Sequence, residues 1–393
     1  MNDVKTKKYR IGIDARFYGP LGKGLGRYTQ EVVDNVTALD TQNEYVVFLR
    51  KENFDDFECD GVRVKKVLAD ISWYGLAEQL IFPRLIARQK LDLMHFPHFN
   101  VPIFCPVRFV LTIHDLILIN FPTVRATTLG PLIYKIKNLG YRAVINIAVK
   151  RAKKIIAVSE FTKNDLIKHF RIKADKIVVT YEGVARLDKG IEGEINPADD
   201  QKILSAKFIT KPYLLYIGNA YPHKNLEGLI RIFKKLLDRE AEVQLVLVGK
   251  EDYFYERLKK LAGDLGLWRT NSPTPVIFAG FAPDAELRVF FRNGLGYVFP
   301  SFYEGFGLPP LEAMANGLPV VSSDKTSLPE ILGNAALYFN PDEEEDVLKK
   351  LESIVSNEHL RGQLRVAGYE QAKKYSWNNC ARQTLSIYDN ILK

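Results

Sequence analysis

Residues 301–324 read SFYEGFGLPPLEAMANGLPVVSSD, and the rest of the chain is best read outward from them. The segment just before, LGYVFPS, is a short apolar run with a strand's composition, so FYEGFG is the loop at that strand's carboxyl end. Pro309 and Pro310 suit the opening positions of a helix, where a missing N–H costs nothing. The helix LEAMAN then stops at Gly317. This spacing predicts Glu304 in the loop and Glu312 in the first helical turn. Gly305 and Gly307 leave the backbone N–H groups of Phe306, Gly307 and Leu308 open to an anion, which a helix N-terminus attracts.

Carboxylates accept from sugar hydroxyls, and amides donate to phosphates. Glu304 and Glu312 beside those amides therefore describe a nucleotide-sugar. The plainer alternative is that both acids only complement the helix dipole.

Around this loop, apolar strand-like runs alternate with helical stretches. YRIGIDARF, EYVVFLR, VRVKKVL, LDLMHF, RFVLTIHDL, KKIIAVS and KIVVTYEG fill the first half. PYLLYIGN, VQLVLVGK, PVIFAGF, LGYVFPS, PVVSS and AALYFN fill the second. Such runs between helices point to parallel sheets buried on both faces, hence an α/β chain. The pattern pauses at residues 184–205, which are polar and carry Gly and Pro. With 393 residues the chain is too long for one core. Two doubly wound, Rossmann-like domains are expected, residues 1–195 and 196–375, with a ligand in the cleft where their strands end.

Composition narrows the classes. A hydrophobic fraction of 47% against 26% charged residues fits a folded globular chain. Cys59, Cys105 and Cys380 are too few and too scattered for a disulfide framework or a zinc site, so a reducing cytoplasm is expected. MNDVKTKKYR lacks the apolar centre of a signal peptide, and no apolar run is long enough to span a bilayer. The net charge of +8 is uneven. From Leu116 to Ser159 there are eight Lys or Arg (Arg125, Lys135, Lys137, Arg142, Lys150, Arg151, Lys153, Lys154) and no acid. Residues 125–154 thus suit a helix lying on an anionic membrane surface, or simply a core-facing helix with its lysines in water. No nucleic-acid recognition motif is present.

The remaining candidates lie just after strands. DARFYGPLGKGLGRYTQEVV carries Gly19, Gly22, Gly24 and Gly26 ahead of a helical run, and it is neither a P-loop nor a GxGxxG fingerprint. His114 and Asp115 follow the fifth strand, where His114 can orient a substrate and Asp115 can close a turn. His95 and His98 are similar strand-end candidates, structural or acceptor-side, with no third metal ligand in view. Lys224 stands at a helix N-terminus, electrostatically disfavoured unless an anion joins it; a diphosphate would satisfy both.

Taken together, EGFGLPPLEAMANGLPVVSSD, YIGNAYPHKNLEGLI, IGIDAR…GKGLGRYTQE and IIAVSEFTKNDL resemble the retaining glycosyltransferases of family 4, which have the GT-B fold. Glu304 and Glu312 match that family's E-x7-E motif, and YSWNNCARQTLSIYDNIL resembles its last helix, 376–393, which returns to the first, acceptor-side domain. The resemblance implies that Glu304 contacts the donor sugar and Glu312 the ribose. Lys224 and the amides of Phe306, Gly307 and Leu308 would bind the diphosphate, Gly24 would approach it from the other domain, and His114 would border sugar and acceptor. Many relatives carry an arginine where this chain has Asn219; His223, Arg27 or Arg292 would have to replace its charge.

The function so implied is transfer of a hexose, mannose before glucose, from GDP-mannose or a UDP-sugar to a cell-surface polysaccharide or lipid-linked glycan, with no metal or other cofactor. It would take place in the cytoplasm or on the inner face of the cell membrane. Attack from the leaving-group face and double displacement both stay open. Other readings are a phosphorylase or epimerase of the same fold, or a non-catalytic nucleotide-sugar-binding protein.

Overall fold

Strands buried on both faces need apolar side chains on both, and each of the thirteen apolar runs is a strand in the computed structural model. The structure describes residues 7–19, 23–121, 131–184 and 197–393. The described residues form two compact units: residues 7–120, 131–183 and 376–393 in the first, and 184 and 197–375 with Phe121 in the second.

The first unit holds β1 (Arg10–Asp14), β2 (Glu44–Leu49), β3 (Val64–Leu68), β4 (Leu93–Phe96), β5 (Phe109–Ile113), β6 (Lys154–Ala157) and β7 (Ile177–Val179). They pair in parallel in the order β3-β2-β1-β4-β5-β6-β7. Its helices are α1 (Lys23–Leu39), α2 (Leu76–Arg88), α3 (Ile117–Asn120), α4 (Pro131–Arg151) and α5 (Glu160–Phe170). The second unit holds β8 (Tyr213–Ile217), β9 (Gln244–Val248), β10 (Val276–Gly280), β11 (Gly296–Phe299), β12 (Val320–Ser323) and β13 (Ala336–Phe339). They too are all parallel, in the order β10-β9-β8-β11-β12-β13. With them come α6 (Pro197–Ala206), α7 (Leu226–Asp238), α8 (Tyr253–Asp264), α9 (Asp284–Asn293), α10 (Leu308–Ala315), α11 (Leu328–Leu332), α12 (Glu344–Ser356) and α13 (Glu358–Ala372). In each sheet the order reverses once, between β1 and β4 and between β8 and β11, and the crevice beyond such a reversal is where doubly wound sheets bind ligands.

The last helix, α14 (Trp377–Leu392), belongs to the first unit and packs on α1. A buried polar chain holds it there. The Tyr388 hydroxyl lies 2.5 Å from Nδ1 of His95, whose Nε2 is 2.9 Å from Thr112 Oγ1, and Tyr28 joins the same Thr112 oxygen at 3.2 Å. Burial, with the field of His114, pushes the His95 pKa down to about 3, so its ring is neutral and serves as donor at one nitrogen and acceptor at the other. His95 was a strand-end candidate by sequence; it sits inside β4, fully buried, and its work is structural.

Two stretches singled out in the sequence fall partly outside the described residues. The polar stretch 184–205 suggests a boundary at 195, yet the first unit ends at Gly183. A Cβ there would lie 2.1 Å from the Trp377 backbone nitrogen, so the two chain segments cross in contact and only glycine fits; residues 185–196 are outside the described ones. In the basic stretch 125–154, Arg125 also lies outside the described residues, and two other cations hold backbone. Arg151 donates to the carbonyls of Ile103 and Cys105, and Lys154 Nζ donates to that of Asp175 at 2.6 Å.

Tyr388→Phe leaves a buried ring nitrogen of His95 without a partner. It is expected to cost about 1–3 kcal/mol in chemical denaturation followed by circular dichroism. An unchanged midpoint would mean that the hydrogen-bond chain does not anchor α14.

Candidate active site

After β8 the chain runs through Gly218–Tyr221 into a single tight turn, Pro222–Lys224, then through Asn225 at φ 57° into α7. After β11 it runs through Pro300–Tyr303 to Glu304. The two loops are tied directly: the Phe302 N–H donates to the His223 carbonyl at 2.8 Å. That tie brings Lys224 Nζ to 2.5 Å from Glu304 Oε1, with both side chains largely buried. Nζ also lies 5.2 Å from the centre of the Phe299 ring. The anion that a lysine needs ahead of a helix is thus supplied by the protein. Glu304 Oε2 accepts from no group among the described residues, so half of the carboxylate is open to a hydroxyl.

The Glu304 backbone is fixed as firmly as its side chain. Its N–H donates to Thr326 Oγ1 at 3.0 Å, and Ser327 Oγ lies 3.1 Å from the carbonyls of Glu304 and Phe306. Thr326 is held at φ 58°, which is costly for a β-branched residue and marks a place where the surroundings dictate the backbone.

Gly307 precedes α10 at φ 103°, and a Cβ on it would meet Leu328 at 2.8 Å. The N–H groups of Gly307 and Leu308 donate to no acceptor among the described residues, while Pro309 and Pro310 have none to offer. The helix therefore opens on two free amides. The Phe306 side chain is buried edge-on against Tyr375 and contributes to the core. Glu312 departs from expectation: it is half-buried and is the fifth residue of α10, and the first turn holds no acid. Because the helix begins at Leu308, ahead of the prolines, Glu312 falls one residue further in, just past the first turn.

Two of the three substitutes for the missing cation at Asn219 do not hold. Burial and the neighbouring Lys224 push the His223 pKa down to about 3, so this ring carries no charge near neutrality. Arg292 is occupied by Asp200, with Nε at 2.8 Å from Oδ2 and a second bond to Oδ1. Arg27 is in the first unit, on α1. Among the described residues of the second unit, Lys224 is the cation paired with Glu304.

In the first unit, Gly22 lies outside the described residues. Gly24 is exposed in the opening turn of α1, with nothing among the described residues near its Cα where a Cβ would stand. The steric demand falls on Gly26 instead, where a Cβ would come 2.1 Å from the Gly19 carbonyl. Asp14, an isolated acid in the sequence, is a buried partner of Arg16, which also reaches Glu78 at 2.6 Å. Asp115 accepts from the Ile117 N–H at 2.9 Å, closing a turn. His98 follows β4, with its Nδ1 buried and unpartnered among the described residues.

His114, after β5, has Nδ1 2.9 Å from Glu182 Oε1 and Nε2 2.9 Å from the Pro97 carbonyl. A carboxylate and a carbonyl only accept, so both ring nitrogens must donate and the ring is an imidazolium. Burial opposes that charge, but Glu182, by hydrogen bond and by field, together with the Pro97 carbonyl, outweighs it, and the His114 pKa is raised. Among the described residues no group of three His, Cys, Asp or Glu side chains could hold a metal ion.

Residues 22–186 match the family profile of Glycosyltransferase Family 4, and residues 198–372 match that of Glycosyl transferases group 1. The chain belongs to glycosyltransferase family 4. This glycosyltransferase is 29% identical over 385 residues to the O-antigen chain mannosyltransferase B of Escherichia coli, a match covering 93% of this chain and 95% of that one. It is 27% identical over 356 residues to the O-antigen chain mannosyltransferase RfbU of Salmonella typhimurium, covering 86% and 89%. Its fold is GT-B, similar to that of the sucrose-phosphate synthase from Thermosynechococcus elongatus, with a TM-score of 0.75 at 19% identity over 98% and 99% of the two chains.

Sequence reasoning missed four residues that hold candidate side chains in this glycosyltransferase: Glu182 in the first unit, and Phe299, Thr326 and Ser327 in the second. Only Glu182 gave a signal, as an acid after the strand KIVVTYEG; the others act through contacts that no spacing reveals.

Because the folded pKa of His114 lies above its ordinary value of 6.5, its contact with Glu182 stabilises fully below that value and is lost as pH rises through the raised pKa. Denaturation of wild type and Glu182→Gln between about pH 5 and 9 should show the stability gap widest at the acid end. A gap that grows with pH would contradict the imidazolium assignment.

Proposed function

We propose that this glycosyltransferase moves a hexose, mannose in first place and glucose next, from GDP-mannose or a UDP-sugar to a cell-surface polysaccharide or lipid-linked glycan, with retention at the anomeric carbon. The observation that carries the reading is the Lys224–Glu304 pair beside the two open amides of α10, at the reversal of the second sheet. The mannosyltransferase relatives, both named for O-antigen chains, support mannose and a polysaccharide acceptor.

In this reading the resting ion pair is the donor site held in readiness. The incoming diphosphate takes Lys224 Nζ and the N–H groups of Gly307 and Leu308, while Glu304, relieved of its partner, accepts from hydroxyls of the sugar. Glu312 accepts from the ribose. Transfer breaks the bond from the sugar's anomeric carbon to phosphate and forms one to the acceptor oxygen. Negative charge then builds on the departing phosphate, and Lys224 with the α10 amides stabilises it most in the transition state. The acceptor's proton goes to that phosphate. His114 is not the base, since both of its nitrogens already donate; it acts as a fixed cation at the end of β5. No side chain is assigned as nucleophile.

Calorimetry with GDP, UDP, ADP and their mannose and glucose conjugates, without metal, tests the donor site. One nucleotide series should bind wild type, and Glu312→Ala should bind it roughly tenfold to a hundredfold more weakly. Binding of none of them would favour a non-catalytic protein. Lys224→Met should lower kcat by roughly 10²–10³-fold and also destabilise the fold by leaving Glu304 buried alone. Adding Glu304→Gln should recover the stability and leave the activity low; recovered activity would rule the pair out of the chemistry.

A further inference from the structure

Helix α2 is apolar on the side that faces water. Its inward side is accounted for by Phe82, Ile86 and Glu78, all buried. Of the seven exposed residues on the helix, five are apolar (Leu76, Ala77, Leu80, Ile81 and Ala87) and the other two are Arg84 and Arg88. Leu76 is 81% exposed, Leu80 59% and Ile81 52%. The contrast within the same protein is α7, whose most exposed positions are Arg231, Lys235 and Asp238, as expected of a helix facing water.

The surface continues past the helix. The Ile103 N–H donates to Gln79 Oε1 of α2 at 2.8 Å, and Arg151 grips the carbonyls of Ile103 and Cys105 from α4. Between those braced residues stands Phe104, 79% exposed. An aromatic ring held out in water on a pinned loop, next to a helix whose outward side is leucine and isoleucine, marks a surface that is covered in use. On the other flank, Leu68 and Ile71 join Ile81, Leu85, Arg84 and Arg88 around a shallow pocket of about 320 Å³.

The charges select the occupant. The single acid of α2, Glu78, points inward and is held by Arg16 and Asn100. One exposed acid, Asp70, lines the same pocket as Arg84 and Arg88, and it lies 3.8 Å from Arg50. Arg84 gives one nitrogen to the Leu80 carbonyl and keeps the rest of its guanidinium in water, and Arg88 has no partner among the described residues. A second copy of the chain laid on this face would set two arginines against two, with only Asp70, already close to Arg50, to offset them. A bilayer with anionic headgroups takes both halves of the pattern: leucine, isoleucine and phenylalanine enter the boundary between headgroups and acyl chains, and the arginines stay at phosphate level.

We propose that the α2 face with Phe104 docks the first unit onto an anionic phospholipid surface. This deepens the transferase reading, since a lipid-linked or membrane-assembled acceptor is reached most readily by an enzyme lying on that surface. It rests on α2 and Phe104 and does not draw on the basic residues 125–154.

The test is co-sedimentation of the full chain, without donor or acceptor, with vesicles of phosphatidylcholine alone and of phosphatidylcholine mixed with phosphatidylglycerol. Wild type should pellet with the mixed vesicles and stay in solution with the neutral ones. Arg84→Gln/Arg88→Gln should weaken partitioning roughly tenfold or more, and Leu80→Ser/Phe104→Ser by roughly the same factor. All four positions are exposed, and unchanged melting curves establish that the variants fold. Equal binding by wild type and variants, or no binding to mixed vesicles, overturns the proposal. So does concentration-dependent dimerisation abolished by Leu80→Ser/Phe104→Ser, which would give the face to a second copy. Vesicle binding without any nucleotide binding would defeat the transferase reading and leave this one standing; the reverse pattern would do the opposite.

Discussion

The contact between Lys224 and Glu304 joins residues 80 positions apart, and the second unit is arranged so that it forms. It requires β8 and β11 to be neighbours, which the reversal of strand order provides, and it requires both loops to leave the sheet at the same edge, which parallel strands guarantee. The bond between Phe302 and His223 then sets the loops in register, and Thr326 and Ser327 fix the Glu304 backbone from a third loop. A largely buried ion pair is weak evidence of stability, because desolvation of both partners offsets much of their attraction. In the transferase reading proposed above, its value lies in exchange. An arriving anion and an arriving hydroxyl can each take one partner, so that neither charge is left uncompensated when the pair opens.

The first unit handles charge differently. Its buried or half-buried ionic groups are paired with neighbours that cannot leave: Arg16 with Asp14 and Glu78, and His114 with Glu182 and the Pro97 carbonyl. Where no carboxylate offsets burial, as at His95, the ring is neutral and bonds to hydroxyls. The neutral chain from His95 to Tyr388 anchors α14, and the imidazolium of His114 sits at the sheet's open edge. His95 inside β4 and His114 after the adjacent β5 thus take opposite protonation states because their neighbours differ: a tyrosine and a threonine for one, a carboxylate and a carbonyl for the other. The turning inward of Glu78 also has a consequence outside. With its acid committed to Arg16, α2 presents only arginines and apolar side chains to its surroundings.

Much was legible in the sequence because it is local. Continuous apolar runs, helix-opening prolines and helix-ending glycines report burial on both faces and backbone preference, and these do not depend on distant residues. The thirteen strands, their grouping into two parallel sheets and the position of the GFG loop after β11 follow from such signals. So does the presence of an anion partner for Lys224, since a lysine before a helix calls for one. Which anion it is could not be read. Glu304 was expected to face a sugar and Lys224 a phosphate, and nothing in the spacing says that in the free protein they face each other.

What the tertiary structure alone decided is the electrostatics. His223 loses its charge through burial, Arg292 is taken by Asp200, and Glu312 falls just past the first turn of α10 because that helix begins at Leu308. Each of these depends on neighbours far away in the chain or on a dihedral angle that several sequences can satisfy. The sequence by itself determined the layers of the fold and the loops that carry the site, because hydrophobic periodicity and turn chemistry are properties of short segments. The structure decided which charged groups are free and which are already paired, because desolvation and Coulomb energy depend on distances that exist only after the chain has folded.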